Sequence, residues 1–357
     1  MPATACTQAL QQAPPAWHSL AAGLLPASTW WASSGGAGRT VENRRHPQSC
    51  RQAAASSMHA YVPNECSGYD LIAATQCLTR RKVGRVVFLG DSVTEQLVHT
   101  IHCEAGNTTH GTAYRPSDTV LWREPQHNYS LERSAFGDID FLSLGNKAGG
   151  NKVDEAAAAI RSALDQGVLD GGNGTLWVVN IGLHHLLCPQ GAAESSCAAS
   201  AQLHEQRRTE YSRGLATLLE VLAERTSGPL IWRDTTAVHK ELLAKSTDVG
   251  AATLRKYAHF DDAGVQKLNA AASAAVARFA PRVAHLRYVH DATAVRPDGT
   301  ANYPAKSDSR HYGADVLQTV LQLHYLCWCQ VGVCVRPPAG QRPMAGNIGF
   351  RNRAIRS

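Results

Sequence analysis

Apolar runs and helically spaced apolar residues alternate along this chain, separated by glycine-rich or polar breaks. Val86-Val87-Phe88-Leu89 is a run of four apolar residues, the pattern of a strand buried on both faces. Gly90-Asp91-Ser92 follows, then apolar residues at 93, 97, 98 and 101, which is helical spacing. The alternation continues with strands over 139–144, 176–182, 229–233 and 284–289. Helices are predicted over 154–164, 200–225, 264–279 and 312–325. The longest of these is amphipathic, with apolar residues at 211, 215, 218, 219 and 222. Residues 61–84 read as a cap leading into the first strand, and the polar stretch 104–137 as a loop or lid. Strands alternating with helices of this length predict a three-layer α/β/α fold with a five-stranded parallel sheet.

Charge and composition divide the chain into three parts. Residues 1–60 carry four Arg and one Glu, and residues 336–357 carry five Arg and no acid. Taking that +8 from the net charge of +6 leaves −2 over residues 61–335. We therefore expect a leader over 1–60 (targeting or disordered), one catalytic domain over 61–335, and a basic disordered tail over 336–357. A nearly neutral body excludes a nucleic-acid footprint. No apolar run reaches the roughly 20 residues that span a bilayer.

The chain has ten cysteines, of which eight lie in the body: Cys66, Cys77, Cys103, Cys188, Cys197, Cys327, Cys329 and Cys334. An even number with no paired C-x-x-C knuckle favours disulfides and an oxidising compartment over a metal site. Cys188 and Cys197 enclose a short loop and are the expected pair. His99 and His102 are spaced i, i+3 but have no acidic or cysteine partner at a fixed spacing, so neither a metal nor a cofactor is expected.

In a parallel sheet, ligands sit beyond the carboxyl ends of the strands. Gly90-Asp91-Ser92, Gly145-Asn146 and Asn180-x-Gly182 all fall at such ends, and Asp308-Ser309-Arg310-His311 precedes the last helix. Asp91 or Ser92 capping the helix is the plainer reading of the first motif. The convergence of four such segments favours chemistry instead. A serine hydroxyl needs a base, and an imidazole needs an acid to fix its tautomer. Ser92 is thus the expected nucleophile, His311 the base and Asp308 the orienting acid. The oxyanion would meet the Ser92 N–H, a backbone N–H near Gly145 and Asn146, and the Asn180 side-chain amide. One of His184 and His185 would line the pocket. Arg233, after the fourth strand, would contact substrate or form a surface ion pair.

The ordered set resembles the SGNH (GDSL-type) esterase superfamily. More narrowly, it is similar to the PC-esterase branch that includes the plant trichome-birefringence-like polysaccharide O-acetyltransferases. That branch's G-D-S-x-x-x-x-Q block resembles Gly90–Gln96, with the Gln offset by one residue. Its N-T-G-H-W-W block resembles Asn180–His185, and its F-F-R-T resembles Ile231-Trp232-Arg233-Asp234. Its R-x-D-x-H resembles Arg296-Pro297-Asp298-Gly299, without the histidine. Its D-C-S-H-W resembles Asp308-Ser309-Arg310-His311-Tyr312, with Ser309 in place of the cysteine. His184 and His185 stand where that branch has tryptophans.

The resemblance implies an SGNH-hydrolase-like fold and an O-acetyl esterase or O-acetyltransferase acting on a glycan or other acyl ester, the transferase drawing on an acyl donor. It also implies the secretory pathway or Golgi lumen, although an acid-poor leader also suits an organellar transit peptide. The rival expectations are an inactive carbohydrate-binding or scaffold protein of the same fold, and a lipase-like hydrolase. The polarity of 104–137 and 183–200 argues against a large apolar lid, and so against the lipase.

Overall fold

The computed structural model describes residues 6, 8, 9, 18, 19, 59, 60, 66, 70–108, 120–124, 126, 129–136, 138–146, 152–188, 201–245, 257, 259–296, 300, 309–312, 314–329, 334 and 335. Its strands are β1 (His18–Ser19), β2 (His59–Ala60), β3 (Arg85–Gly90), β4 (Val120–Glu124), β5 (Tyr129–Phe136), β6 (Ile139–Asn146), β7 (Thr175–Asn180), β8 (Leu230–Arg233), β9 (Val283–Leu286) and β10 (Cys334–Val335). Its α-helices are α1 (Leu71–Arg80), α2 (Ser92–Thr108), α3 (Val153–Asp165), α4 (Ala201–Arg225), α5 (Lys240–Lys245), α6 (Asp262–Arg278), α7 (Tyr288–Ala294) and α8 (Ala314–Trp328).

The sheet is larger than the five-stranded parallel one expected. Among the described residues it has eight strands in the order β10-β9-β8-β7-β3-β6-β5-β4. Strands β9, β8, β7, β3 and β6 run parallel to one another, while β10, β5 and β4 join antiparallel at the two edges. Strands β4 and β5 come from the stretch expected to be a loop or lid; α2 also runs on into it, to Thr108. On β4, Leu121 is exposed, as an edge strand permits. The strand expected over 284–289 stops at Leu286, and Tyr288 already begins α7.

Residues of β3 alternate between two cores, as a period of two requires. Val86 and Phe88 face a cluster that includes Leu71, Leu97, Val316 and Trp328, from α1, α2 and α8. Val87 and Leu89 face a second cluster that includes Ile160, Leu215 and Leu268, from α3, α4 and α6. Helices thus cover both faces of the sheet, and the protein has three layers.

Disulfides fasten the first of these layers. Cys77 of α1 is bonded to Cys329, just after α8, and Cys327 to Cys334 of β10. Cys6 is bonded to Cys66 and buried in the core. At that residue the expected leader is therefore part of the domain. Cys188 is disulfide-bonded as well; Cys197, its expected partner, lies outside the described residues.

One carboxyl group is embedded between three helices. Glu104 of α2 accepts from the Leu71 N–H at 3.0 Å, which opens α1, and from the Tyr325 hydroxyl of α8 at 2.9 Å. Burial pushes its pKa from 4.5 up to about 7. Between those values the folded chain keeps a proton that the unfolded chain has released. Stability therefore falls as pH rises through that window, by about 3 kcal/mol at 1.36 kcal/mol per unit. The amide introduced by Glu104→Gln keeps an acceptor for the Leu71 N–H and has no charge to lose, while its NH2 group reverses the bond to Tyr325, whose hydroxyl oxygen then accepts instead of donating. Melting curves of wild type and Glu104→Gln should coincide near pH 4.5 and separate toward pH 8, with the variant the more stable. A gap that does not change with pH would show that Glu104 does not titrate in this way.

Candidate active site

Three of the expected segments meet in one row at the carboxyl edge of the parallel strands. Gly90 pairs in register with Asn180, and the pair Leu89↔Leu144 sets Gly145 one step further along. The pair Val179↔Trp232 brings Arg233 level with Asn180, and Arg233 in turn pairs with Leu286. The row is tightly packed at Gly90. A Cβ there would lie 2.1 Å from Thr94 Oγ1 and 2.3 Å from the Asn180 carbonyl oxygen. At Gly145 a Cβ would lie 3.0 Å from the Gly90 carbonyl oxygen.

The chain leaves Gly90 and enters α2 at once. Asp91 is the cap: its Oδ1 accepts the Val93 N–H at 3.1 Å, and its carbonyl accepts the Glu95 N–H at 3.0 Å. The capping reading therefore falls on Asp91, and Ser92 is the first helical residue. Its hydroxyl lies 2.7 Å from Nε2 of His311, 219 residues away in sequence. His311 is buried.

The seat of His311 is the segment that follows β8. Residues 234–239 follow β8 and are all buried. The His239 N–H donates to the Ser309 carbonyl at 2.8 Å, and the Tyr312 hydroxyl donates to the Ala237 carbonyl at 2.9 Å. The segment is itself pinned from below. Thr293 Oγ1 accepts the Ala237 N–H at 2.9 Å, and Asn269 exchanges two hydrogen bonds with the Thr235 backbone. Ser309 adopts φ +69°, in the left-handed region, and this turns the chain into His311. The pair Thr235-Thr236, one residue past the strand at the sheet's carboxyl edge, was the signal available for this seat. Next to His311, the Arg310 guanidinium lies over the rings of Tyr257 and Phe260, at 5.4 and 5.6 Å from their centroids.

Other expected residues take different places. Asn180 is buried and donates both amide hydrogens within the row, to the Arg233 carbonyl and to Thr235 Oγ1, each at 2.9 Å. Arg233 Nη2 donates to Asn180 Oδ1 at 2.7 Å, which fixes the amide's orientation. No amide hydrogen is left for an oxyanion. Arg233 is fully buried, so neither a substrate contact at the surface nor a surface ion pair describes it.

His185 is buried and serves a helix terminus. It lies in a 3₁₀ turn over Leu183–Leu186, and its Nε2 accepts the Val153 N–H at 3.3 Å, capping α3. Burial, and then the Arg207 charge, push its pKa down to about 4, so it stays neutral. Both His184 and His185 offer their backbone carbonyls to Arg207. Gly182 lies against Tyr211, whose ring carbon a Cβ would approach to 2.9 Å. Asp308 and the Asn146 side chain lie outside the described residues.

Two further features lie away from Ser92. Asp234 accepts from His285 Nε2 at 2.6 Å, while Arg287 donates to His285 Nδ1 at 3.2 Å. With both ring nitrogens engaged, this pair joins β8 to β9 and has no nitrogen left to act as a base. At the amino edge of the strands lies a cavity of about 640 Å³, lined by Leu176, Leu230, Ile231 and Ala284, with Arg81 and Arg282 at its wall. Among the described residues no group of three His, Cys, Asp or Glu side chains could hold a metal ion.

No protein-family model matches the chain, and neither does any curated protein. Among solved structures it is similar to the crystal structure of phospholipase A1 from Streptomyces albidoflavus NA297. The TM-score is 0.36 and the identity 13%, over 69% of this chain and 98% of that one.

The packing at Gly90 gives a direct prediction. Gly90→Ala forces a methyl group into backbone and should cost at least ~3 kcal/mol, lowering the melting temperature by roughly 10 °C. Gly84→Ala is the control, because its nearest neighbour would be 4.0 Å away. Equal melting temperatures for the two variants would mean that the elbow is not packed as described.

Proposed function

We propose that this chain is a serine enzyme acting on acyl esters, and that its substrates are O-acetyl groups on a glycan. The observation that carries the reading is the 2.7 Å contact between Ser92 Oγ and His311 Nε2 at the opening of α2. In the proposed reaction the Ser92 hydroxyl gives its proton to His311 Nε2 as Oγ attacks the acyl carbon. The bond to the departing alcohol then breaks, His311 returns the proton to that alcohol, and an acyl-serine remains. Water or a sugar hydroxyl next gives its proton to His311 and attacks the acyl group, and Ser92 leaves reprotonated. Water as the acceptor makes the enzyme an esterase, and a sugar hydroxyl makes it a transferase.

Asp308, three residues before His311, is the acid assigned to hold the imidazole. The Ser92 N–H and a backbone N–H near Gly145 are the donors for the oxyanion. The assignment of glycan and acetyl rests on the resemblance to the PC-esterase branch. Disulfides among the described residues suit an oxidising, lumenal or extracellular setting.

The test uses the full chain under oxidising conditions with 4-nitrophenyl acetate. Ser92→Ala and His311→Ala should each lose at least ~10³ in kcat/KM with melting temperatures close to that of wild type. Activity indifferent to Ser92 or to His311 would overturn the reading. Acetate release from an acetylated polysaccharide should also exceed hydrolysis of a long-chain ester, and the reverse order would favour a lipase.

A further inference from the structure

Arg233 is the feature that the proposed chemistry leaves unused. It closes β8 and has no exposed surface. A buried guanidinium is costly unless its charge and its donors are matched. Here Nη2 reaches two acceptors, Asn180 Oδ1 at 2.7 Å and Thr94 Oγ1 at 2.9 Å. Thr94 lies in the first turn of α2, two residues past Ser92. The arginine therefore reaches from β8 past the end of β7 and holds the start of the nucleophile's helix.

Charge adds a second link. Nε and Nη1 of Arg233 are buried without a hydrogen-bond partner among the described residues, and so is Oδ2 of Asp91. Burial pushes the guanidinium's pKa down to about 10, and the carboxylates of Asp91 first and Asp234 second work against that fall. Asp234 is already bonded to His285. His324 of α8 is pushed down to about 3 by burial first and the Arg233 charge second, so it remains neutral. Asp91 immediately precedes Ser92. An unbalanced carboxylate at that position would oppose the negative charge that develops on the substrate when Ser92 attacks.

We propose that Arg233 is a positioning residue for Ser92: it ties the first turn of α2 to the sheet through Thr94 and cancels the buried charge of Asp91. The proposal rests on Ser92 being the nucleophile.

The experiment compares Arg233→Met, Arg233→Met combined with Asp91→Asn, and Thr94→Val in the full chain. It reads kcat and KM on 4-nitrophenyl acetate and amide hydrogen exchange. Arg233→Met should lower kcat per folded molecule about 30-fold or more, with KM within about threefold. Adding Asp91→Asn should restore about tenfold, because it removes the charge left unbalanced. A purely structural role predicts an unchanged kcat per folded molecule, and a direct substrate contact predicts a rise in KM alone. Either result, or no rescue by Asp91→Asn, would overturn the proposal.

Thr94→Val is nearly isosteric and removes the acceptor for Arg233 together with the hydroxyl's own long bond, at 3.5 Å, to the Asn180 carbonyl, and it serves even where Arg233→Met does not fold. It should speed exchange of the amides over 92–97 at least about tenfold while leaving β9 unchanged. That readout needs no turnover: a wild type without esterase activity would refute the serine-enzyme reading, while the exchange would still decide whether Arg233 holds the helix. Unchanged exchange over 92–97 would overturn the tie.

Discussion

The absence of a side chain at Gly90 sets the geometry of everything around Ser92. The strand must stop, turn and become a helix within two residues while the Asn180 backbone of the neighbouring strand crosses at contact distance. A hydrogen atom fits where a methyl group would meet Asn180 O and Thr94 Oγ1 at just over 2 Å. This closeness allows the row from Gly145 to Arg233 to close, and closure places Asn180 and Thr94 within reach of one guanidinium. The carboxylate of Asp91 then caps the helix instead of facing solvent. Ser92 is thereby left as the first hydroxyl beyond the sheet edge, at the positive end of the helix dipole.

His311 arrives by a longer route. It belongs to no regular element and depends on a buried segment that is pinned to α6 and α7 through Asn269 and Thr293. Backbone groups make most of these attachments: carbonyls of Ser309, Ala237 and Thr293, and N–H groups of Thr235, Ala237 and His239. Only the bond from the His239 N–H to the Ser309 carbonyl joins backbone to backbone; the others take their second partner from the side chains of Asn269, Thr293, His239 and Tyr312. The 2.7 Å contact with Ser92 is thus held by the scaffold on both sides, by α2 for the serine and by residues 234–239 for the histidine.

This mechanism of support explains what could be read from the sequence. Strands buried on both faces announce themselves as apolar runs, and β3, β6, β7 and β8 were legible for that reason. Strands β4 and β5 were not, because Arg123, Glu132 and Arg133 interrupt the apolar pattern and such edge strands look like polar loop. Strand β9 was legible only in part: the apolar Tyr288 and Val289 extend its pattern, yet they turn into α7. Ser92 and His311 could be picked out because their residue types and chain order suit one chemistry. The fate of Asn180 could not, since its spacing says where it sits and nothing about which acceptors claim its amide. His185 was misread for the same reason, as only the fold shows that a helix starts opposite its ring.

The ring nitrogens of the described buried histidines separate His311 from the rest. His239 donates through Nε2 to the Thr293 carbonyl at 3.0 Å, an acceptor that can give no proton back. His324 donates through Nδ1 to the Val320 carbonyl at 2.7 Å and is enclosed by Phe88 and Trp328. His185 accepts from an amide that never releases its hydrogen, and His285 is held between a carboxylate and a guanidinium. His290 faces Asp262 at 2.9 Å and Asp291 at 3.5 Å; burial works against its charge, but the two carboxylates outweigh it and raise the pKa, which suits a cation more than a base. His311 alone among them directs a ring nitrogen at a hydroxyl, a group that can both give up a proton and take it back. A proton can therefore move along that contact in either direction without breaking a bond that the fold requires, as a base that must later act as an acid demands.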